Sequence, residues 1–310
     1  MSSSPTQITH MPRVLCVPFF LLIVYQDLSI AKEDPGLVPG YTMPCRRHYD
    51  ELTRDPYRDN ESGTVLIIGA NTGPSDSSDP SWEYFKSAHH FHKIFIEPIP
   101  SIFAKLKQNV AESRVQNATF LNVAVATNFG ETNMTLYCLL EGLQKDVPFW
   151  ANQICSQSLD RLYSQKDILY RDKHLRTSKE KINKHISTHV VPSLTIQQVL
   201  KGYVKTRVRV IQIDVEGFDD YIVRSLPLNK RKLFPQLIIF EHMLMNISRY
   251  LSTLDFLHGY GYHTCIGVIN SQNTYAYLPD HKRHMNWDST IDNSTLSLYF
   301  DRPEKVEESK

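Results

Sequence analysis

Along this chain short unbroken apolar runs close on small polar or glycine-containing clusters, and helix-period segments separate them. Val65-Leu66-Ile67-Ile68 closes on Gly69-Ala70-Asn71-Thr72-Gly73, Lys93-Ile94-Phe95-Ile96 on Glu97-Pro98, and Val208-Arg209-Val210-Ile211-Gln212-Ile213 on Asp214-Val215-Glu216-Gly217. Val- and Ile-rich runs of this length predict buried parallel strands of an α/β sheet. Ile102, Phe103, Leu106 and Val110 recur at three- and four-residue spacing, which predicts an amphipathic helix over Pro100 to Ser113. Trp82 to Phe91 reads as a short helix, Ala118 to Ala126 as the next strand, and Thr132 to Leu140 as a segment pairing nearby. Further on, helices are expected at Leu194 to Tyr203, Phe218 to Leu226 and Leu251 to His258, and a strand at Leu237 to Phe240 ending in Glu241-His242. Tyr262 to Ile269 and Leu296 to Phe300 are candidates for an antiparallel edge. The succession β-α-β-α-β is the first half of a doubly wound, mostly parallel sheet.

Outside that pattern lie four segments. Residues 142–189, with Phe149-Trp150, Cys155 and the charged stretch Arg161 to Lys184, read as an insertion that is partly helical. Residues 32–63 are rich in Pro, Gly, Arg and Asp and read as a lead-in, so the domain is expected over 64–300, followed by a charged tail at 301–310. At the other end Val14 to Tyr25 is nearly all apolar, preceded by Arg13 and followed by Ser29-Ile30-Ala31. That layout predicts a signal peptide over 1–31, since the run is short for a bilayer span; an uncleaved anchor or an N-terminal segment of a cytoplasmic protein is the alternative. Five Asn-x-Ser/Thr sequons, at Asn60, Asn117, Asn133, Asn246 and Asn293, and four cysteines beyond Cys16, namely Cys45, Cys138, Cys155 and Cys265, agree with an oxidising compartment. The four cysteines allow three pairings.

Composition narrows the partners more than the fold. The 310 residues carry a net charge of +1 with 41% hydrophobic and 22% charged residues, an ordinary globular balance with no field to hold nucleic acid. No Gly-x-Gly-x-x-Gly turn, nucleophile elbow or phosphate-binding Walker loop occurs. His89, His90 and His92, and His185 with His189 if that stretch is helical, are the only spacings suggestive of metal, and no Cys or acid ligand lies near them in sequence. No metal is expected. The basic stretch Arg171 to Lys184 reads as a solvated helix face.

The chemistry-bearing residues sit at the predicted carboxyl ends of strands, where ligands of open α/β sheets bind. A Gly-containing turn lets ligand and backbone approach closely. Glu97, at the end of the second strand, is placed to accept ribose hydroxyls. Asp214, Glu216, Glu241 and His242 emerge around the same crevice and are the candidates for a general base.

In order and type, Ile68-Gly69-Ala70-Asn71-Thr72-Gly73, Glu97-Pro98, Asn122-Val123-Ala124, Ile213-Asp214-Val215-Glu216-Gly217-Phe218-Asp219 and Ile239-Phe240-Glu241 resemble the successive motifs of the FkbM-type family of S-adenosylmethionine-dependent methyltransferases. The resemblance spans roughly Thr64 to Ile269 and skips the insertion. It implies the seven-stranded, Rossmann-like sheet of class I methyltransferases, with S-adenosylmethionine as cofactor. Gly69, Ala70, Asn71 and Gly73 would line its methionine part, Glu97 would take the ribose, and Asn122 to Ala124 would lie near adenine. Asp214 and Glu216 would stand where donor meets acceptor, and the implied reaction is O-methylation of a small molecule or glycan. Two departures stand out: Ile67 where the family has an acid two positions before the first glycine, and Asp219 where it commonly has Glu. Two rival readings are a secreted, glycosylated binding protein that keeps the fold without catalysis, and an NAD-dependent oxidoreductase, which would need the missing glycine fingerprint. Oligomeric state is not legible.

Overall fold

The computed structural model describes residues 43–44, 62–73, 88–127, 130–139, 154–160, 162, 186–228, 233–266 and 273–278. The chain divides into two units, Met1–Tyr41 and Thr42–Lys310, and every described residue belongs to the second. The Val14 to Tyr25 run, Phe149-Trp150, Leu296 to Phe300 and the tail lie outside the described residues.

The strands are β1 (Met43–Pro44), β2 (Gly63–Ile68), β3 (Phe91–Ile96), β4 (Ala118–Leu121), β5 (Ala124–Ala126), β6 (Asn133–Leu139), β7 (Cys155–Ser156), β8 (Ile186–Thr195), β9 (Val208–Ile213), β10 (Leu237–Glu241), β11 (His263–Ile266) and β12 (Asn273–Tyr277). The helices are α1 (Pro100–Glu112), α2 (Ile196–Tyr203), α3 (Asp219–Ser225) and α4 (Ile247–Gly259). One sheet runs β1-β11-β12-β10-β9-β2-β3-β4, with β2, β3, β4, β9 and β10 parallel and β12 antiparallel to both neighbours. Seven of its strands form the doubly wound sheet expected, and the two-residue β1 extends the edge beside β11. The reversal between β2 and its neighbours β3 and β9 opens a crevice at the carboxyl ends of those strands, the switch point of such a sheet.

Alternation along the central strands explains their unbroken apolar runs. Leu66, Ile68, Ile94, Ile96, Ile211, Ile213, Ile238 and Phe240 face one side, against Val199 and Leu200 of α2, Ile222 and Val223 of α3, and Leu254 and Leu257 of α4. Val65, Ile67, Phe95, Val210, Leu237 and Ile239 face the other, against Leu106 and Val110 of α1. Both faces are covered, so both residue sets must be apolar. Helix starts follow local chemistry. Pro100 opens α1 at a position where a missing N–H costs nothing, Thr195 and Gln198 form a reciprocal capping box on α2, and the Asn246 amide oxygen accepts from the Arg249 N–H at 2.9 Å on α4.

A second sheet, β5-β8-β6-β7, was not expected. Its strands β5 and β8 are parallel, and β6 is antiparallel to β8 and β7. The predicted strand Ala118 to Ala126 is therefore two strands in different sheets. The break falls at Asn122, whose side-chain amide donates to the backbone oxygens of Glu97 (2.8 Å) and Pro98 (3.0 Å). The segment read as an insertion supplies β7 and the first residues of β8; His189 lies in that extended strand and not on a helix, and His185 lies outside the described residues. Leu194 likewise belongs to β8, and α2 begins two residues later. Phe91, expected at a helix end, opens β3. The strand antiparallel to both neighbours is β12, which the apolar pattern does not predict.

Candidate functional site

The site begins where β2 ends. Gly69 has φ +77°, and a Cβ there would lie 1.7 Å from the Asp214 carbonyl oxygen, so only glycine lets the first turn pass this close to the end of β9. The Asp214 N–H donates to the Ile68 carbonyl at 2.9 Å, and the Gly69 and Ala70 N–H groups donate to Ile96 at 3.0 and 2.9 Å, so the ends of β9, β2 and β3 are tied together. Asn71 (φ +48°) and Gly73 (φ +75°) complete a tight turn, in which the Asn71 amide oxygen accepts from the Thr72 N–H at 2.7 Å.

Glu97 is 5% exposed and spans the turn that follows β3. Its Oε2 accepts from the Asn71 N–H at 3.1 Å and its Oε1 from the Ile99 N–H at 2.9 Å. Each oxygen keeps a second lone-pair direction for a ligand hydroxyl. Burial raises its pKa to about 7; the two N–H donors oppose that rise and the nearby Asp214 charge adds to it.

After β9 the chain turns through Glu216 (φ +54°) and Gly217 (φ +90°). Two buried acids hold this loop. Asp219, fully buried, accepts from the Gly217 N–H at 3.2 Å and from the Glu241 N–H at 3.3 Å, joining the loop to the end of β10. Asp220, also fully buried, is paired with Arg249 through both carboxylate oxygens, and Arg249 also donates to the Gly217 carbonyl at 3.1 Å. The Asp219 carboxyl is held well above the usual range, first by burial and next by the Asp214 charge. Glu241 is raised too, by burial and then by the charges of Asp214, Glu216 and Asp219; among the described residues its buried Oε2 has no hydrogen-bond partner. Acids therefore crowd this end of the sheet.

One cavity collects these features. Its lining includes Gly69, Asn71, Glu97, Ala124, Asp214 and Glu216 of the residues expected from sequence. Ala70, Gly73 and Asn122 are not in the lining; they shape the turns behind it. Glu241 and His242 are not in it either. His242 Nδ1 is hydrogen-bonded with Thr274 Oγ1 at 2.9 Å, its ring stacks on Tyr250 with centroids 4.9 Å apart, and burial lowers its pKa to about 4. Ile67 is 2% exposed, packs in the sheet core and is not in the lining of the cavity.

The opposite wall comes from the second sheet. Met134 and Leu136 of β6, Cys155 of β7 and Gln157 line it, and none was singled out as a site residue from sequence. The alternation Met134, Leu136, Cys138 was a visible signal for one inward face. Nothing in sequence pointed to Gln157. Cys138 and Cys155 form a disulfide, and Cys265 is disulfide-bonded to a partner outside the described residues. Among the described residues no three His, Cys, Asp or Glu side chains are grouped to hold a metal ion, and His92 is hydrogen-bonded with Thr119 at 2.8 Å.

Residues 68–264 match the family model of the methyltransferase FkbM domain. No curated protein matches the chain in sequence. Among solved structures, precorrin-6y C5,15-methyltransferase from Geobacter metallireducens is similar at 12% identity over 79% of this chain and 95% of that one, with a TM-score of 0.34. A TehB-like S-adenosylmethionine-dependent methyltransferase from Corynebacterium glutamicum is similar at 10% identity over 84% and 96%, with a TM-score of 0.31. At those scores neither likeness bears on what this chain acts on.

Proposed function

Because the chain belongs to the FkbM methyltransferase family, it is an S-adenosylmethionine-dependent methyltransferase, and from that premise we propose that its acceptor is a hydroxyl oxygen on a small molecule or glycan. The observation that supports this reading is the single cavity shared by Glu97, Asp214 and Glu216 at the carboxyl ends of β3 and β9. The donor set fits the cofactor: a buried carboxylate with free lone pairs suits ribose hydroxyls, and acids suit a ligand carrying sulfonium and ammonium charges. S-adenosylmethionine, when bound, supplies a methyl group already activated on sulfur.

What the chain adds is alignment, exclusion of water and a base for the hydroxyl proton. A base must be ionised at working pH. Glu241, pushed up to about 10, is protonated near neutrality; Asp219 has both oxygens engaged by the Gly217 and Glu241 N–H groups; and Asp219, Glu241 and His242 all lie outside the lining. We assign Asp214 to the cofactor's positive groups, since Ile67 offers no counter-charge, and Glu216 to the proton. The test is transfer of labelled methyl to hydroxyl-bearing glycans and small molecules by wild type, Asp214→Asn and Glu216→Gln. Weaker cofactor binding in Asp214→Asn, and kcat lowered on the order of 100-fold with unchanged cofactor binding in Glu216→Gln, support the roles. Cofactor binding with no transfer to any hydroxyl acceptor would overturn the O-methyl reading and favour a binding protein.

The same proposal puts the protein in the secretory pathway, with residues 1–31 as signal peptide. The Cys138–Cys155 bond supports it, and so do the exposed sequons at Asn117, Asn133 and Asn246. Among the described residues no helix is long and apolar enough to cross a membrane.

A further inference from the structure

We infer that the Cys138–Cys155 disulfide is a positioning element of the cofactor site, so that S-adenosylmethionine binding by this chain depends on the oxidised form. The inference rests on reading the cavity as the cofactor site. Three observations carry it.

First, Cys155 is itself part of the cavity lining, together with Met134 and Leu136 from the strand that bears Cys138. The bond joins two sides of one wall and is not a remote staple. Second, among the described residues the backbone pairing that holds Cys155 is short. β7 is two residues long, paired to β6 only at Tyr137 with Ser156 and at Cys138 with Cys155, with one further backbone bond from the Leu139 N–H to the Ile154 carbonyl at 3.1 Å. The disulfide adds a covalent tie to this short edge pairing. Third, the tied segment reaches the opposite side of the site. Ser156 is 1% exposed and its hydroxyl donates to the Glu216 carbonyl at 3.4 Å, while Gln157 lines the cavity next in sequence. Glu216 is the residue held at positive φ in the loop after β9. Displacing β7 thus loosens the second-sheet wall and removes a support from the acid-glycine loop of the main sheet.

Reduction breaks the S–S bond and forms two thiols, taking two electrons and two protons from an added reductant; no further chemistry is required. The loop closed by the bond has a sequence separation of 17, so the freed segment gains considerable freedom.

The experiment uses the full chain made in an oxidising host. S-adenosylmethionine affinity is measured calorimetrically for the wild type and for the double variant Cys138→Ser/Cys155→Ser, which leaves Cys265 unaffected. The inference expects the variant to bind at least roughly tenfold more weakly, and equal affinity in a folded variant overturns it. A second measurement covers a variant that fails to fold: the rate at which a phosphine reduces the native protein, followed by mass mapping of each cysteine. Saturating S-adenosylmethionine should slow reduction of Cys138–Cys155 at least about fivefold while leaving Cys265 unchanged. Equal rates with and without cofactor overturn the inference. Absence of binding by the oxidised wild type would instead overturn the site reading, and the inference with it.

Discussion

Strands β2, β9 and β10 are buried on both faces, whereas β6 shows the alternation exposed, buried, exposed, buried from Asn133 to Leu136, and β8 carries Val190 at 70% exposure. The main sheet is held between helices on its two sides; the second is short, half-solvated and tied by a disulfide. Both contribute to one cavity, yet differently. The main sheet provides the turns and acids expected of a cofactor site, and the second sheet provides a wall of Met134, Leu136, Cys155 and Gln157. The contrast places the turns and acids on an element that cannot shift without opening the core, and the second wall on an element with one face in solvent.

If the close approach of β2 to β9 is what fixes the cofactor end, its disruption should have the largest effect. Gly69→Ala puts a Cβ into the Asp214 carbonyl at positive φ, and a loss of roughly 4 kcal/mol of stability, or failure to fold, is expected by urea denaturation. Burial on both faces should make Ile211→Ala cost about 3 kcal/mol in the same assay. A cost under about 1 kcal/mol would break the distinction between the sheets.

The third expectation concerns pH. With Glu97 near pKa 7 folded, against an ordinary value of 4.5, the folded state holds a proton that the unfolded state has lost across that window. Stability from this residue is therefore present below pH 4.5 and declines as pH rises through 7, by up to roughly 3 kcal/mol. Glu97→Gln should remove that decline from the wild-type profile. Cofactor binding should respond in the opposite sense, tightening as pH rises through 7, because ionised Glu97 is the better acceptor for hydroxyls. Smallest of all, Val190→Thr on the exposed face of β8 should shift stability by less than about 0.5 kcal/mol.

What was legible in the sequence follows the same division. Val65 to Ile68, Ile94 to Ile96 and Val208 to Ile213 announced their strands because double burial favours apolar residues on both faces, the buried Arg209 being paired with Gln236, and the turns after them were read from Gly69, Glu97 and Asp214. β8 was hidden. Its sequence mixes Ser, Thr, His and a proline, and Pro192 argues against a strand until the register shows it opposite Asn133, where the β6 ladder ends. The split at Asn122 depends on side-chain bonds to Glu97 and Pro98, a tertiary feature with no local pattern. β12 was missed because Asn-Thr-Tyr-Ala-Tyr is short and weakly apolar. For the site, Glu97 was legible as an acid at a strand end and it lines the cavity, whereas Glu241, an acid at the end of another strand, does not. Arg249, which clamps the acid-glycine loop through Asp220 and Gly217, sits on a helix 29 residues beyond Asp220 and gave no sequence signal.

The central claim is that the cavity at the ends of β2, β3 and β9 holds S-adenosylmethionine, and a crystal structure of the oxidised chain with S-adenosylhomocysteine tests it most directly. The account predicts ribose hydroxyls within hydrogen-bonding distance of Glu97 and the sulfur facing Asp214 and Glu216. A ligand bound elsewhere, or a ribose held by other residues with Glu97 still closed on Asn71 and Ile99 alone, would contradict it.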